Sequence, residues 1–194
     1  MGYFEYVMVL ISIIVGLGLT HVLGALGAAV HRLRGHGPPI RLDATYLLWV
    51  GTVLTWLVSF WWFEFKFQEI TTQWTLDLYL FVIFYAISLY LMAVILLPAG
   101  MKGIADSYEY FMAGRRWFFG AFFVATAFDV VDSFLKGFDW GMQPSYLTLW
   151  AIYIAAGIVG IVSKTRGVQR LAAAVPFVSQ IVNIFSDLRV LGSW

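Results

Sequence analysis

Two carboxylates stand three residues apart inside an apolar segment, Asp129 and Asp132 within Trp117 to Leu135. A charged group near the centre of a membrane helix costs about 2.5–3.5 kcal/mol on insertion scales. Spacing i, i+3 puts both acids on one face of a helix. That face continues backwards through the small residues Ala125 and Ala121, the kind of stripe that close helix–helix contact uses. The pair is therefore expected to face the interior of a helix bundle. Two nearby acids do not both ionise easily, so the chemistry on offer is that of a proton or cation site. Two plainer readings stand beside it. The helix ends early with Asp132 already at the headgroups, or Asp129 is neutral and bonded to a neighbouring helix.

Three more polar residues fall in apolar runs. Gln180 and Asn183 lead to Asp187 at i, i+3, i+7, with Ser179 and Ser186 beside them. Such a stripe is expected to face protein or water, level with the two acids, and to help line an outward-facing polar cavity. The competing reading is ordinary interhelical bonding, worth about 0.6 kcal/mol per bond. His21 lies beside a ridge of small residues, Gly16, Thr20, Gly24 and Ala28, spaced i, i+4, i+8, i+12. The ridge predicts tight packing of the first helix on another helix. His21 suits a proton relay or an interhelical hydrogen bond. A haem held by two histidines across helices is not available, because His31 and His36 lie at or beyond the end of the same helix. His21 and Asp129 fall in opposite halves of the membrane, which makes them poor partners for each other.

Other features carry less. Glu64 and Lys66, in Phe63-Glu64-Phe65-Lys66-Phe67, read as interfacial residues that snorkel. Trp49, Trp56, Phe60, Phe81, Phe84, Tyr85 and Tyr90 suit lipid-facing surface or a bound pigment, quinone or lipid. No cofactor is named by the sequence. With no cysteine, disulfides, thiolate metal sites and thiol nucleophiles are out of reach. Gly16-Leu17-Gly18 lies in an apolar run and follows no strand, so it is not a phosphate loop. A net charge of +1 points to no nucleic-acid partner. Neither a nucleophile–base pair nor a metal cluster is visible, so an enzyme is not expected.

The elements that position these residues follow from composition. Of 194 residues, 61% are hydrophobic and 12% charged, against about 25% charged in a soluble domain. The apolar content is spread along the whole chain, so its solvent is expected to be lipid. The first run, Val7 to Val30, is too long for a signal-peptide core and follows no basic segment. The expected fold is all-α, one transmembrane domain of six spanning helices at about 5–31, 44–65, 77–99, 116–136, 145–163 and 168–190. Pro176 is expected to kink the last. Ile104 to Met112 reads as a short interfacial helix or a plain loop. No repeat relates the first three helices to the last three.

Orientation follows from basic residues. The first, third and fifth connectors hold Arg32, Arg34, Arg41, Lys102, Arg115, Arg116, Lys164, Arg166 and Arg170, nine of the twelve. Both termini are thus expected away from the cytoplasm. Tyr3, Tyr6, Trp61, Trp62, Trp74, Trp140 and Trp194 would then form an outer aromatic belt.

The opening from Phe4 to His21, Phe-Glu-Tyr-Val-Met-Val-Leu-Ile-Ser-Ile-Ile-Val-Gly-Leu-Gly-Leu-Thr-His, resembles a widespread group of uncharacterised bacterial membrane proteins. Arg115-Arg116-Trp117-Phe118-Phe119 is a second shared patch. The resemblance implies a multi-pass protein of the bacterial inner membrane and no particular activity. Phe185-Ser186-Asp187 is similar to the filter motif of a family of lysosomal and bacterial potassium channels. There the motif sits in the first helix with an arginine upstream; here it ends the last helix and Ile181 holds the arginine's place, so the match is refused. Two functions are expected from these features. One is a small channel or transporter for protons, cations or a small solute, using Asp129, Asp132, Asn183, Gln180 and His21. The other is a non-enzymatic accessory or scaffold subunit of a larger membrane complex. Either is compatible with a homo-oligomer built through the first helix.

Overall fold

The computed structural model describes residues 3–70 and 74–187. Arg189 and Trp194, the last three positions of the expected sixth span, and the side chains of Tyr3 and Asp187 lie outside the described residues. Among the described residues there are no strands. Six helices are long and apolar enough to cross a membrane. The chain is built as a multi-pass membrane protein.

Helix α1 (Tyr3–Leu33) carries Glu5 in its first turn and His31 and Arg32 in its last, each suited to the helix dipole there. It stops where Gly35 and Gly37 take φ of +84° and +132° ahead of two prolines. Helix α2 (Ala44–Glu64) is capped by Asp43, whose carboxylate accepts from the Thr45 N–H at 2.8 Å. The short α3 (Lys66–Ile70) follows directly. Helix α4 (Leu76–Leu96) is capped by Thr75 and ends before Pro98. A 3-10 turn (Ala99–Met101) then leads to α5 (Ser107–Leu135), capped by Asp106. The one-turn α6 (Phe138–Gly141) precedes α7 (Pro144–Val162), with Pro144 in its first turn. Helix α8 (Arg166–Asp187) contains Pro176 without a break in helical structure.

The fourth span starts nine residues earlier than the sequence suggests, at Ser107 instead of 116. Ile104 to Met112 is thus neither a loop nor a separate interfacial helix. Asp106 accepts from the Tyr108 and Glu109 N–H groups, and that cap launches the spanning helix at once.

The long helices form a closed ring in space: α1, α4, α5, α7, α8, α2 and back to α1. Helix α2 also touches α4 and α5 across the ring, and its rings meet those of α7 through Trp56–Tyr153 and Phe63–Tyr146. Its core contact is Trp49, with the rings of Phe118, Phe119 and Phe122 set edge-on at 5.2–5.3 Å. Such edge-to-face pairs suit aromatic quadrupoles. The aromatic residues of α2 and α4 are therefore mostly not lipid-facing. Trp49, Trp56, Phe60 and Tyr85 are buried, while Phe84 faces out.

Among the described residues, the glycines of the small-residue ridge of α1 make no close contact, while Ala28 packs against the core. A Cβ on Gly16 or Gly24 would meet nothing within 4 Å, because the buried face of α1 is the one carrying Ile11, Val15, Val22 and Ala29. Close approach occurs elsewhere. Gly18 sits against Leu57, and on α7 Gly157 and Gly160 receive the rings of Phe123 and Phe119 from α5. A Cβ on Gly157 would lie 2.6 Å from the Phe123 ring.

Candidate functional site

One end of the ring gathers acids and the other gathers bases. At the acid-rich end, α5 delivers Asp129 and Asp132 inward, as their spacing suggests. They do not form a pair. Asp129 turns toward α4 and α7. Its Oδ1 accepts from the Tyr85 hydroxyl at 2.7 Å, and its Oδ2 accepts from Trp150 Nε1 at 2.7 Å. Tyr85 in turn accepts from Trp56 Nε1 at 3.0 Å. Four side chains on α2, α4, α5 and α7 thus form one hydrogen-bonded chain ending on a carboxylate. Hydrogen bonds onto a charged acceptor are roughly twice as strong as neutral ones.

Asp132 turns toward α2. With Glu64 it grips the ammonium of Lys136, which lies 3.1 Å from Glu64 Oε1 and is hydrogen-bonded to Asp132 Oδ2. All three side chains are buried, and the ammonium also lies over the rings of Phe63 and Phe67 at 5.8 and 5.0 Å. Asp132 is thus enclosed by the bundle, three residues before α5 ends at Leu135. The interfacial reading of Glu64 is corrected too. It is 1% exposed, at the last position of α2, with its carboxylate on the buried Lys136 ammonium. Lys66 pairs with Glu69 at 2.8 Å beside the Trp140 ring.

Glu64, Lys136, Tyr85, Trp56 and Trp150 were not among the expected site residues. Lys136 carried a signal, since it follows Asp132 at i, i+4. The other four carried none, because their partners lie on different helices.

Gln180 and Asn183 are buried and share a cavity with Asp129. Ser59, Tyr146 and Tyr153 line it as well. Its volume is about 10 Å³, close to that of one water-sized sphere. With its amide turned to match its neighbours, Gln180 donates to the Thr52 carbonyl at 3.2 Å and accepts from the Trp56 backbone N–H at 3.3 Å. The polar stripe of α8 and the acid of α5 therefore meet at one place, across α2.

His21 belongs to the opposite end. Its Nε2 lies 2.7 Å from the Leu97 carbonyl, and the Tyr46 hydroxyl donates to the Leu96 carbonyl at 3.1 Å. Both satisfy carbonyls that a helix leaves free at its C-terminus. His21 is an interhelical anchor and does not join the Asp129 cluster. Around it, Arg32 donates to the carbonyls of Pro38, Pro39, Met101 and Ile104. Arg166 grips Asp43 through Nη2 at 2.6 Å and Nε at 3.2 Å.

No family model, curated protein or solved structure matches this chain.

Proposed function

We propose that this chain is a small channel or transporter that moves protons or small cations across a bacterial inner membrane, with Asp129 as its charged centre. The observation that carries this is the cavity itself. Asp129, Gln180 and Asn183 converge on a space of about 10 Å³, room for a proton carrier or a bare cation and too small for an organic solute. An ionisable residue inside a membrane is a functional hypothesis by default. The charge balance supports the same reading. Among the described residues, Lys136 is the one cation set against Glu64, Asp129 and Asp132, so three carboxyl groups share one ammonium and a bound proton or cation would relieve the excess.

The partners of Asp129 differ in what they permit. Indole N–H only donates, whereas a phenol both donates and accepts. When Asp129 takes a proton, Trp150 keeps donating to Oδ2 and the Tyr85 hydroxyl reverses to accept from Oδ1. Tyr85 is then the switchable member and Oδ1 the site of protonation. The nine basic residues on the first, third and fifth connectors support an orientation with the Asp129 end away from the cytoplasm.

The test is flux through proteoliposomes. Asp129→Asn is expected to abolish proton or cation movement while the protein stays folded, and Tyr85→Phe to slow it at least tenfold. Undiminished flux in Asp129→Asn removes the proposal.

A second reading, a non-enzymatic accessory subunit, is favoured by the outward ridge Gly16, Thr20, Gly24 and Ala28, which the chain itself leaves without a close neighbour at its glycines. Native mass spectrometry after gentle extraction separates the two. A bound second protein species supports the accessory role, and the chain alone or as a homo-oligomer supports transport.

A further inference from the structure

We infer that the Asp129 cavity is reached sideways, through a groove between α7 and α8, with Leu149 and Asn183 as the partition. This rests on the transport reading for its purpose but not for its geometry. The groove has a volume of about 410 Å³. On α7 it runs from Pro144 to Ile152 and on α8 from Ser186 to Val178. Eight residues along a helix cover about 12 Å, so the groove descends roughly two turns from the acid-rich end. Four hydroxyls, Ser145, Thr148, Ser179 and Ser186, line it. Ser186 donates to the Val182 carbonyl of its own helix at 2.7 Å, as Ser and Thr commonly do inside a helix, and its oxygen can still accept a bond from the groove.

The groove and the inner cavity share two residues, Leu149 and Asn183. Both are buried. A particle that descends between α7 and α8 therefore meets the Asn183 amide last, before the space that Asp129 lines. Hydroxyl and amide oxygens are the ligands that a hydrated proton or small cation accepts in exchange for water. The geometry thus gives an order of encounter: groove hydroxyls, Asn183, Asp129. Asn183 is then a selectivity-determining residue, and Leu149 the apolar half of the barrier.

The chain has no cysteine, so single thiols report without background. Asn183→Cys in proteoliposomes is expected to react with the small hydrophilic reagent aminoethyl methanethiosulfonate added at the acid-rich side. Thr148→Trp or Ser179→Trp, each filling the groove from a different helix, is expected to slow that reaction at least tenfold. A thiol at Ser163, at the other end of α7 and labelled from that side, is expected to keep its rate in both. If Asn183→Cys is inert while Ser186→Cys reacts, or if both tryptophans leave its rate unchanged, the lateral route is wrong. Flux separates this from the preceding proposal. If Asp129→Asn stops flux and the groove tryptophans do not, the route falls and the site stands. If the tryptophans block labelling and Asp129→Asn conducts normally, the route stands and the site falls.

Discussion

Lys136 sits where a cation is costly, and its two acids make it tolerable. Removing one member of a buried ion cluster leaves an uncompensated charge and costs about 3–5 kcal/mol, whereas replacing the whole cluster with neutral groups is often nearly neutral. Lys136→Met alone is therefore expected to lose about 3–5 kcal/mol. Adding Glu64→Gln and Asp132→Asn to it is expected to recover most of that loss. Unfolding by sodium dodecyl sulfate in mixed micelles measures both; equal destabilisation of the single and triple variants would sink the idea. At this scale the sequence was half legible. It marked Asp129, Asp132, Gln180 and Asn183 as inward-facing, because hydrocarbon penalises them anywhere else. It did not reveal that Asp129 and Asp132 divide between two networks. Residues at i, i+3 share a face only within about 60° of arc, and that angle is enough to aim one acid at Tyr85 and the other at Glu64. Nor did it give His21 its place, because a lone histidine in an apolar run is equally consistent with a relay and with an anchor.

Among the elements, α7 comes closest to its neighbour. Gly160 lies so near the buried Phe119 ring that a Cβ would overlap it, and Phe119 is itself wedged against Trp49 and Phe118. The ring has nowhere to retreat, so Gly160→Ala is expected to cost about 1–3 kcal/mol by overpacking. Gly24→Ala on α1 is expected to cost nothing in the isolated chain, since nothing stands within 4 Å. Comparing the two by thermal unfolding in detergent tests the assignment of the close contact to α7. The spans themselves were readable from their apolar length alone. Their packing faces were not. On α1 the ridge of small residues looked like the contact surface, but a different face of the helix, with Ile11, Val15, Val22 and Ala29, holds that role. Nearly every residue along the span of such a helix is apolar, so no amphipathic pattern marks the inner face.

For the whole molecule, the basic end is held by ion pairs that bridge distant connectors. Asp43 is the hub. Its burial works against the charge, but hydrogen bonds from Arg166 and Thr45 outweigh that and hold its carboxyl below the ordinary value of 3.8. A carboxyl depressed in the folded state stabilises above its ordinary range and loses that contribution as pH falls through the folded value. The clamp is thus intact at neutral pH and fails only below about pH 3.8. Asn is an equally good helix cap, so Asp43→Asn isolates the ion pair. It is expected to lower stability modestly at pH 7, because Arg166 is solvated, and to converge with the parent as pH falls through the depressed folded value. No gap at any pH, read from thermal unfolding in detergent, would show that Asp43 acts only as a cap.

The pairing of Glu64 with Lys136 spans 72 residues of chain. Membrane proteins are made from one end, at roughly 5–20 residues per second, so Glu64 leaves the ribosome on the order of ten seconds before its counter-charge exists. During that interval the second span carries an unneutralised acid into lipid. It is held at the insertion machinery, or rests with its end in water, until α5 arrives. A nascent chain arrested before Lys136 therefore presents a second span that has not settled, and the bundle closes late, around a helix that was made early.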